Sequence, residues 1–287
     1  MTKKAIYSTG KFADKDAVYH LQTLIRNPED RIEIQFMGSP LIDIGGLAIL
    51  GLAKQTSGLG DRLIINCDEL NPDSYQFLKR VHLLEPDGNP GLIFPLRLFS
   101  SEYSDGMLLT EVPVWLQKVA REGFSAPDAS ISEAEKAIME LVANVVDHSA
   151  SKGGGILVGE YFPIKKHIQI VVVDFGNSIP ATLSDLFPTF SDEEIINEAL
   201  KPGVSRRLHQ GHNYGMGLDL VKAYALFDEN CALKMISRNG FLSYTLKEYH
   251  CRPSKFTFPG TYIRLQLSSK FINQGIEILN DVRSFEV

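Results

Sequence analysis

Glu140-Leu-Val-Ala-Asn144-Val-Val-Asp-His148 is the stretch whose reading decides the fold. On an α-helix Glu140, Asn144 and His148 follow one another at four-residue steps and fall within roughly 80° of arc, so they share one face. Leu141, Val142, Val145 and Val146 supply an apolar stripe beside them. A carboxylate, an amide and an imidazole in line along such a stripe meet either solvent or a polar ligand. Upstream, Ser132-Glu-Ala-Glu135 has the S-x-x-E pattern of a capping box, so the helix is predicted over 132–148.

Two glycine-bearing segments follow. Asp174-Phe-Gly176-Asn-Ser-Ile-Pro180 comes after the apolar run Ile168 to Val173, which reads as a strand and places Asp174 at its end. A carboxylate there can accept a hydrogen bond from an exocyclic amine such as adenine N6. Gly176 omits a side chain where a flat base would approach the backbone. By itself the segment is equally an Asx turn after a buried strand.

Gly211-His-Asn-Tyr-Gly215-Met-Gly217-Leu218 leads into a helix predicted to Phe227. The free N–H groups at a helix start suit phosphate, although paired glycines also end loops and cap helices. Gly260-Thr261 opens the last predicted strand, where a small residue and a hydroxyl can approach a base or an ordered water. In this order the segments read as an ATP site. Asn144 offers an oxygen to Mg²⁺, which leans on substrate phosphates for its other ligands. Glu140, one turn earlier, can accept a proton from an attacking hydroxyl or water.

Working outward, 287 residues suffice for one large domain or two ordinary ones, and 44% hydrophobic residues can build a real core. A net charge of −6 argues against a general nucleic-acid binder. The polar Met1-Thr-Lys-Lys start has no apolar signal-peptide core, and no run approaches a membrane span, so a cytoplasmic protein is expected. Cys67, Cys231 and Cys251 lack any paired spacing for zinc or disulfides. Trp115 is read as a packing residue.

The chain divides in two. Strands over Arg31–Gly38 and Arg62–Cys67 alternate with helices over Asp14–Arg26, Gly46–Gln55 and Asp73–Leu83, giving a small α/β domain over 1–88. Glu85-Pro-Asp-Gly-Asn-Pro-Gly91 gathers turn-formers at a boundary. The second half, 91–270, opens with a strand over Leu92–Phe99 and a helix over Leu108–Glu122. It continues with paired strands over Gly155–Phe162 and His167–Asp174, a charged segment to Gly211, and strands near Leu233, Phe241 and Tyr262. A tail over 271–287 remains. The expected class is α/β (α+β).

Together these segments resemble the GHKL superfamily of ATPases, which includes sensor histidine kinases, anti-sigma-factor serine kinases, Hsp90, gyrase B and MutL. The resemblance implies a Bergerat-type ATP-binding sandwich, a mixed sheet with helices on one face. Glu140 and Asn144 match the N-box, Asp174 and Gly176 the first glycine box, Gly215 and Gly217 the second, and Gly260-Thr261 the terminal strand. It assigns Asn144 to Mg²⁺, Asp174 to adenine, Gly215 and Gly217 to phosphates, and Thr261 to the adenine-side water network. His148, Ile179 and Leu218 join them as implied cofactor contacts. The likeness is greatest to the anti-sigma-factor serine kinases, which implies Glu140 as general base, a protein partner and a possible homodimer, with no nucleic acid and no membrane.

Two departures stand out. Ser178 occupies the second glycine of the D-x-G-x-G pattern, and the segment 183–210, where a lid belongs, carries Lys201, Arg206 and Arg207. The first half resembles a STAS domain through Leu41-Ile-Asp43-Ile-Gly45-Gly46-Leu47, but Gly45 stands where that family carries its phospho-accepting serine or threonine. A folded half in place of a dimerisation helix pair disfavours a sensor histidine kinase. A partner-switching serine/threonine kinase, an ATP hydrolase and a nucleotide-gated binding module with little turnover all remain open.

Overall fold

The computed structural model describes residues 3–100, 107–126, 131–151, 153–204 and 217–272. It is an α+β fold that joins a parallel sheet to an antiparallel one. The first half comprises β1 (Lys3–Ser8), β2 (Lys11–Phe12), α1 (Asp14–Arg26), β3 (Arg31–Gly38), β4 (Leu41–Ile42), α2 (Ile44–Gln55), β5 (Leu63–Leu70) and α3 (Pro72–Arg80). Strands β1, β3 and β5 form a parallel sheet in that order, and β2 pairs with β4.

The second half contains β6 (Ile93–Phe99), α4 (Met107–Lys118), a π-helical turn over Val119–Gly123, α5 (Ser132–His148), β7 (Gly155–Phe162) and β8 (His167–Asp174). It continues with α6 (Ile179–Leu183), α7 (Asp192–Glu198), α8 (Gly217–Ala225), β9 (Ala232–Thr245) and β10 (Tyr249–Ser268). Its five strands lie in the order β6-β7-β8-β10-β9. Each pairing is antiparallel, where the resemblance implied a mixed sheet.

Helices also cover both faces of this sheet rather than one. Ile168, Ile170 and Val172 of β8 pack with α4, α5 and α8, while Val171 and Val173 pack with α1 and α2. A strand enclosed on both sides needs an unbroken apolar run, and Ile168–Val173 supplies it. The same sandwiching explains α2, whose residues Ile44 to Ala53 are all buried. It has an apolar circumference because it meets protein all around. One buried cluster thus runs from Ile34 and Phe36 of β3 through Leu47 and Leu50 to Ile156 and Tyr262. Side chains from both sides of the 85–91 turns share it.

Local chemistry sets the ends of several elements. Asp43 caps α2, accepting the Gly45 N–H at 2.8 Å, and Asn71 caps α3 through the Ser74 N–H at 2.9 Å. The predicted cap of α5 shifts by one place. Ile131 is its N-cap, without a side-chain capping bond, and Ser132 is the first helical residue. The segment after Pro180 is more ordered than its charge suggested, because it holds α6 and α7, and Ser191 with Glu194 builds a capping box on α7. The strands expected separately near Leu233 and Phe241 are one strand, β9. Trp115 is buried and donates to the Leu92 carbonyl at 3.1 Å.

Candidate functional site

Strand register builds the floor of a cleft. Gly155, Asp174, Thr261 and Ser237 are successive partners across β7, β8, β10 and β9, so the three polar residues share one row. Directly opposed residues point to the same face of a sheet, here the one on which α5 and α8 pack. The next row on that face is apolar: Val172 and Ile263 extend the floor. Just before Thr261 the β9–β10 register slips, and Arg238, next to Ser237, adopts φ 51°. Such irregularities re-aim side chains beside a site.

Helix α5 forms one wall. Glu140, Asn144 and His148 all line the cleft, with Ala143, Val145 and Asp147 beside them, while Ala137, Ile138 and Leu141 turn into the core. Ile179, Thr182 and Leu183 of α6 face them, and Gly217 and Leu218 at the start of α8 close one end. Counting the part open to solvent, the cleft measures about 980 Å³.

Asp174 is 1% exposed. Its Oδ1 accepts the Gly176 N–H at 2.7 Å. Burial pushes its carboxyl up to about 7, against the pull of the Gly176 and Thr261 N–H groups. Burial also raises the Glu140 carboxyl above its ordinary value, helped by the negative charges of Asp219 and Asp147. A Cβ on Gly217 would lie 2.5 Å from Glu140 Oε2, so only glycine lets the start of α8 sit this close to that carboxylate.

Of the residues read from the sequence, Glu140, Asn144, His148, Asp174, Ile179, Gly217, Leu218 and Thr261 come together around this cleft. Gly176 does not line it. A Cβ there would run into the Ser149 carbonyl, which also accepts the Asn177 N–H. The glycine is needed where β8 leaves past the end of α5. Gly215, Arg206 and Arg207 lie outside the described residues. Lys201 pairs with Glu198 at 2.7 Å.

Ser178, at the position of the absent glycine, has a structural task of its own. It caps α6, accepting the Ala181 N–H at 3.1 Å. Ser237, unremarked in the sequence, is fully buried and bonds three partners: the Ile179 N–H at 3.0 Å, the Gly260 carbonyl at 2.9 Å and Thr261 Oγ1 at 3.0 Å. Its signal was slight, a hydroxyl directly after Met235 and Ile236. Asn177, Ala199 and Val204 also line the cleft and carried no signal.

The opposite face of the same sheet carries a charged seam. Arg264 forks onto Asp43, with Nη1 to Oδ2 at 2.9 Å and Nη2 to Oδ1. Its Nε donates to Tyr262 Oη at 2.9 Å, and that hydroxyl donates to Asp14 Oδ2 at 3.1 Å. Lys234 Nζ reaches the same carboxylate at 2.7 Å. Burial opposes ionisation of Asp14, but Lys234 and Arg264 hold its carboxyl below the ordinary value. Gly45 is buried beneath this seam, and a Cβ on it would collide with Arg264 Nη2 and Tyr262 Oη.

No family model and no curated protein matches the chain. Among the described residues no helix is long and apolar enough to cross a membrane.

Proposed function

We propose that the cleft binds Mg·ATP and that the protein is a signalling kinase or ATPase of the partner-switching, GHKL type, acting on or through a protein partner. The observation that carries this reading is the row Asp174–Thr261 at the cleft floor beneath Glu140 and Asn144 on one helix face. A buried carboxylate and a hydroxyl suit the amine edge of adenine, and the apolar Val172, Ile179 and Ile263 suit its ring. The start of α8 at Gly217 suits the phosphates.

Asn144 would hold Mg²⁺ through its amide oxygen. Among the described residues no group of three or more His, Cys, Asp or Glu is placed to hold a metal alone. An ion held by one amide oxygen would take its other ligands from phosphates and water, as magnesium commonly does. Bound there, it would neutralise phosphate charge. Glu140 takes the proton of an attacking hydroxyl or water as the new O–P bond forms. The bond to the β–γ bridging oxygen breaks, and ADP leaves with its electron pair. A raised Glu140 carboxyl serves a base working near neutrality.

The second reading is a nucleotide-gated interaction module with little turnover, cytoplasmic like the first. It is supported by the first half, STAS-like in its Asp43–Leu47 segment, covering the back of the same sheet whose front floors the cleft. Calorimetric titration of ATP with and without Mg²⁺, using Asp174→Asn as control, tests both. Saturable, Mg-sensitive binding lost in the control is expected, and no binding at millimolar ATP sinks both readings. Release of phosphate, or its transfer to protein, then separates turnover from gating.

A further inference from the structure

Ser237 offers one hydroxyl proton and two lone pairs. Its contact with the Gly260 carbonyl uses the proton, because a carbonyl oxygen only accepts. Its contact with the Ile179 N–H uses one lone pair, because an amide nitrogen only donates. The remaining contact, with Thr261 Oγ1, is then settled: the threonine donates and the serine accepts. Thr261 spends its only hydroxyl proton inside the protein, on a residue buried from solvent. What it turns toward the cleft is lone pairs.

We infer that Ser237 is a positioning residue for base selection: by fixing the Thr261 hydroxyl as an acceptor beside Asp174, it makes the cleft floor select a purine with an amino group at C6 over one with a carbonyl. Asp174 and Thr261 are direct register partners, so above about pH 7, where the Asp174 carboxyl is ionised, the floor offers two neighbouring acceptors to the same edge of a base. An exocyclic amine has hydrogens to give them. A 6-carbonyl brings a third acceptor against two, leaving buried lone pairs facing each other without a proton, the situation a polar site rejects most strongly. Ser237 also holds the Ile179 N–H, and Ile179 is part of the opposing cleft wall. Both sides of the base slot therefore refer to one buried oxygen.

This inference rests on the nucleotide reading above, and the experiment distinguishes the two. ATP and inosine triphosphate, which differ at C6 and N1 of the purine, are titrated with Mg²⁺ at about pH 8, where Asp174 is ionised, into the parent, Ser237→Ala, Ser237→Thr, Thr261→Val and the double variant, each checked for cooperative thermal unfolding. The parent is expected to prefer ATP. Ser237→Ala should lose on the order of tenfold of that preference, and Ser237→Thr, which keeps the hydroxyl, should restore it. Thr261→Val should lose a similar amount, and the double variant no more than either single one, because both remove the same acceptor. A general loss of packing would weaken the two nucleotides alike and leave the preference intact.

Full preference in a folded Ser237→Ala overturns the inference. Should that variant not fold, Thr261→Val decides, and an undiminished preference there overturns it equally. A parent that binds both nucleotides equally well also overturns it while leaving the nucleotide reading in place. A parent that binds neither overturns both.

Discussion

Thr261 and Tyr262 are consecutive on β10 and serve opposite faces of one sheet. Thr261 lies in the cleft floor beside Asp174, and Tyr262 donates to Asp14 of α1 in the charged seam. Strand alternation makes this unavoidable, since neighbouring side chains point to opposite sides. Two residues on, Arg264 continues the seam by gripping Asp43 at the cap of α2. Any shift of β10 that alters the cleft floor is therefore felt by the first half of the chain.

The seam should be costly to break. Arg264→Ala leaves Lys234 on Asp14 and takes the forked guanidinium from Asp43, and uncompensated buried charge of this kind costs about 3 kcal/mol. Urea unfolding should show a correspondingly lower midpoint. Arg264→Lys should recover only part of it, because an ammonium cannot fork onto a carboxylate. An unchanged midpoint in Arg264→Ala would mean the seam is decorative.

Placing a serine at position 45, where the proposed likeness to a STAS domain would put a phospho-acceptor, should destabilise rather than activate. The Cβ of Gly45→Ser must displace Arg264 and Tyr262, an overpacking expected to cost about 1–3 kcal/mol. Incubation of this variant with labelled ATP should leave Ser at 45 unlabelled, since the position is buried under the guanidinium. Label found there by peptide mapping would show that the two halves separate.

Asp174 gives stability a sign that can be checked against pH. Its carboxyl titrates at about 7 when folded, against an ordinary 3.8. Between those values the folded protein holds a proton that the unfolded chain has released, so stability from this group falls as pH rises from about 4 to about 7 and stays level above. Asp174→Asn removes the slope. The variant should gain a few kcal/mol over the parent at pH 8 and almost nothing at pH 4, on the order expected for a shift of this size. Glu160, also pushed up to about 7 by burial and Asp43, is present in both proteins and cancels in the difference. Equal gains at both pH values would remove Asp174 as the cause.

Glu140 is tested from both sides of its contact. Glu140→Gln should bind Mg·ATP like the parent and lose on the order of 10²–10⁴-fold in turnover. Parental turnover should fall as acidity protonates the raised carboxyl. Gly217→Ala should push that carboxylate aside while leaving the fold intact, costing on the order of tenfold to a hundredfold in turnover. Full turnover in Glu140→Gln rules out the base; full turnover in Gly217→Ala shows that its position is not critical.

Much of this was legible in the residues alone. The strands over 155–162 and 167–174 have the bounds their patterns predict, and the helix over 132–148 begins one residue before its predicted cap would start it, because long regular periodicity and sharp turn signals fix such elements locally. The face shared by Glu140, Asn144 and His148 is likewise a consequence of spacing. The short α6 and α7 were not legible: helices of five and seven residues show too little of a period, and they rest on contacts with β9, such as Tyr244 Oη to Asn197 Oδ1 at 2.7 Å.

The sequence by itself determined the long elements such as α5, β7 and β8 and the residue types that α5 brings to the cleft wall, since both follow from spacing within one helix or one strand. Tertiary structure decided the rest. Only pairing across β8, β10 and β9 brings Asp174, Thr261 and Ser237 into one row, and only packing of α1 and α2 on the sheet's other face puts Arg264 over Gly45. Register and face-to-face packing join residues as many as 248 positions apart, as in the Tyr262–Asp14 pair, and no local pattern carries information over that distance.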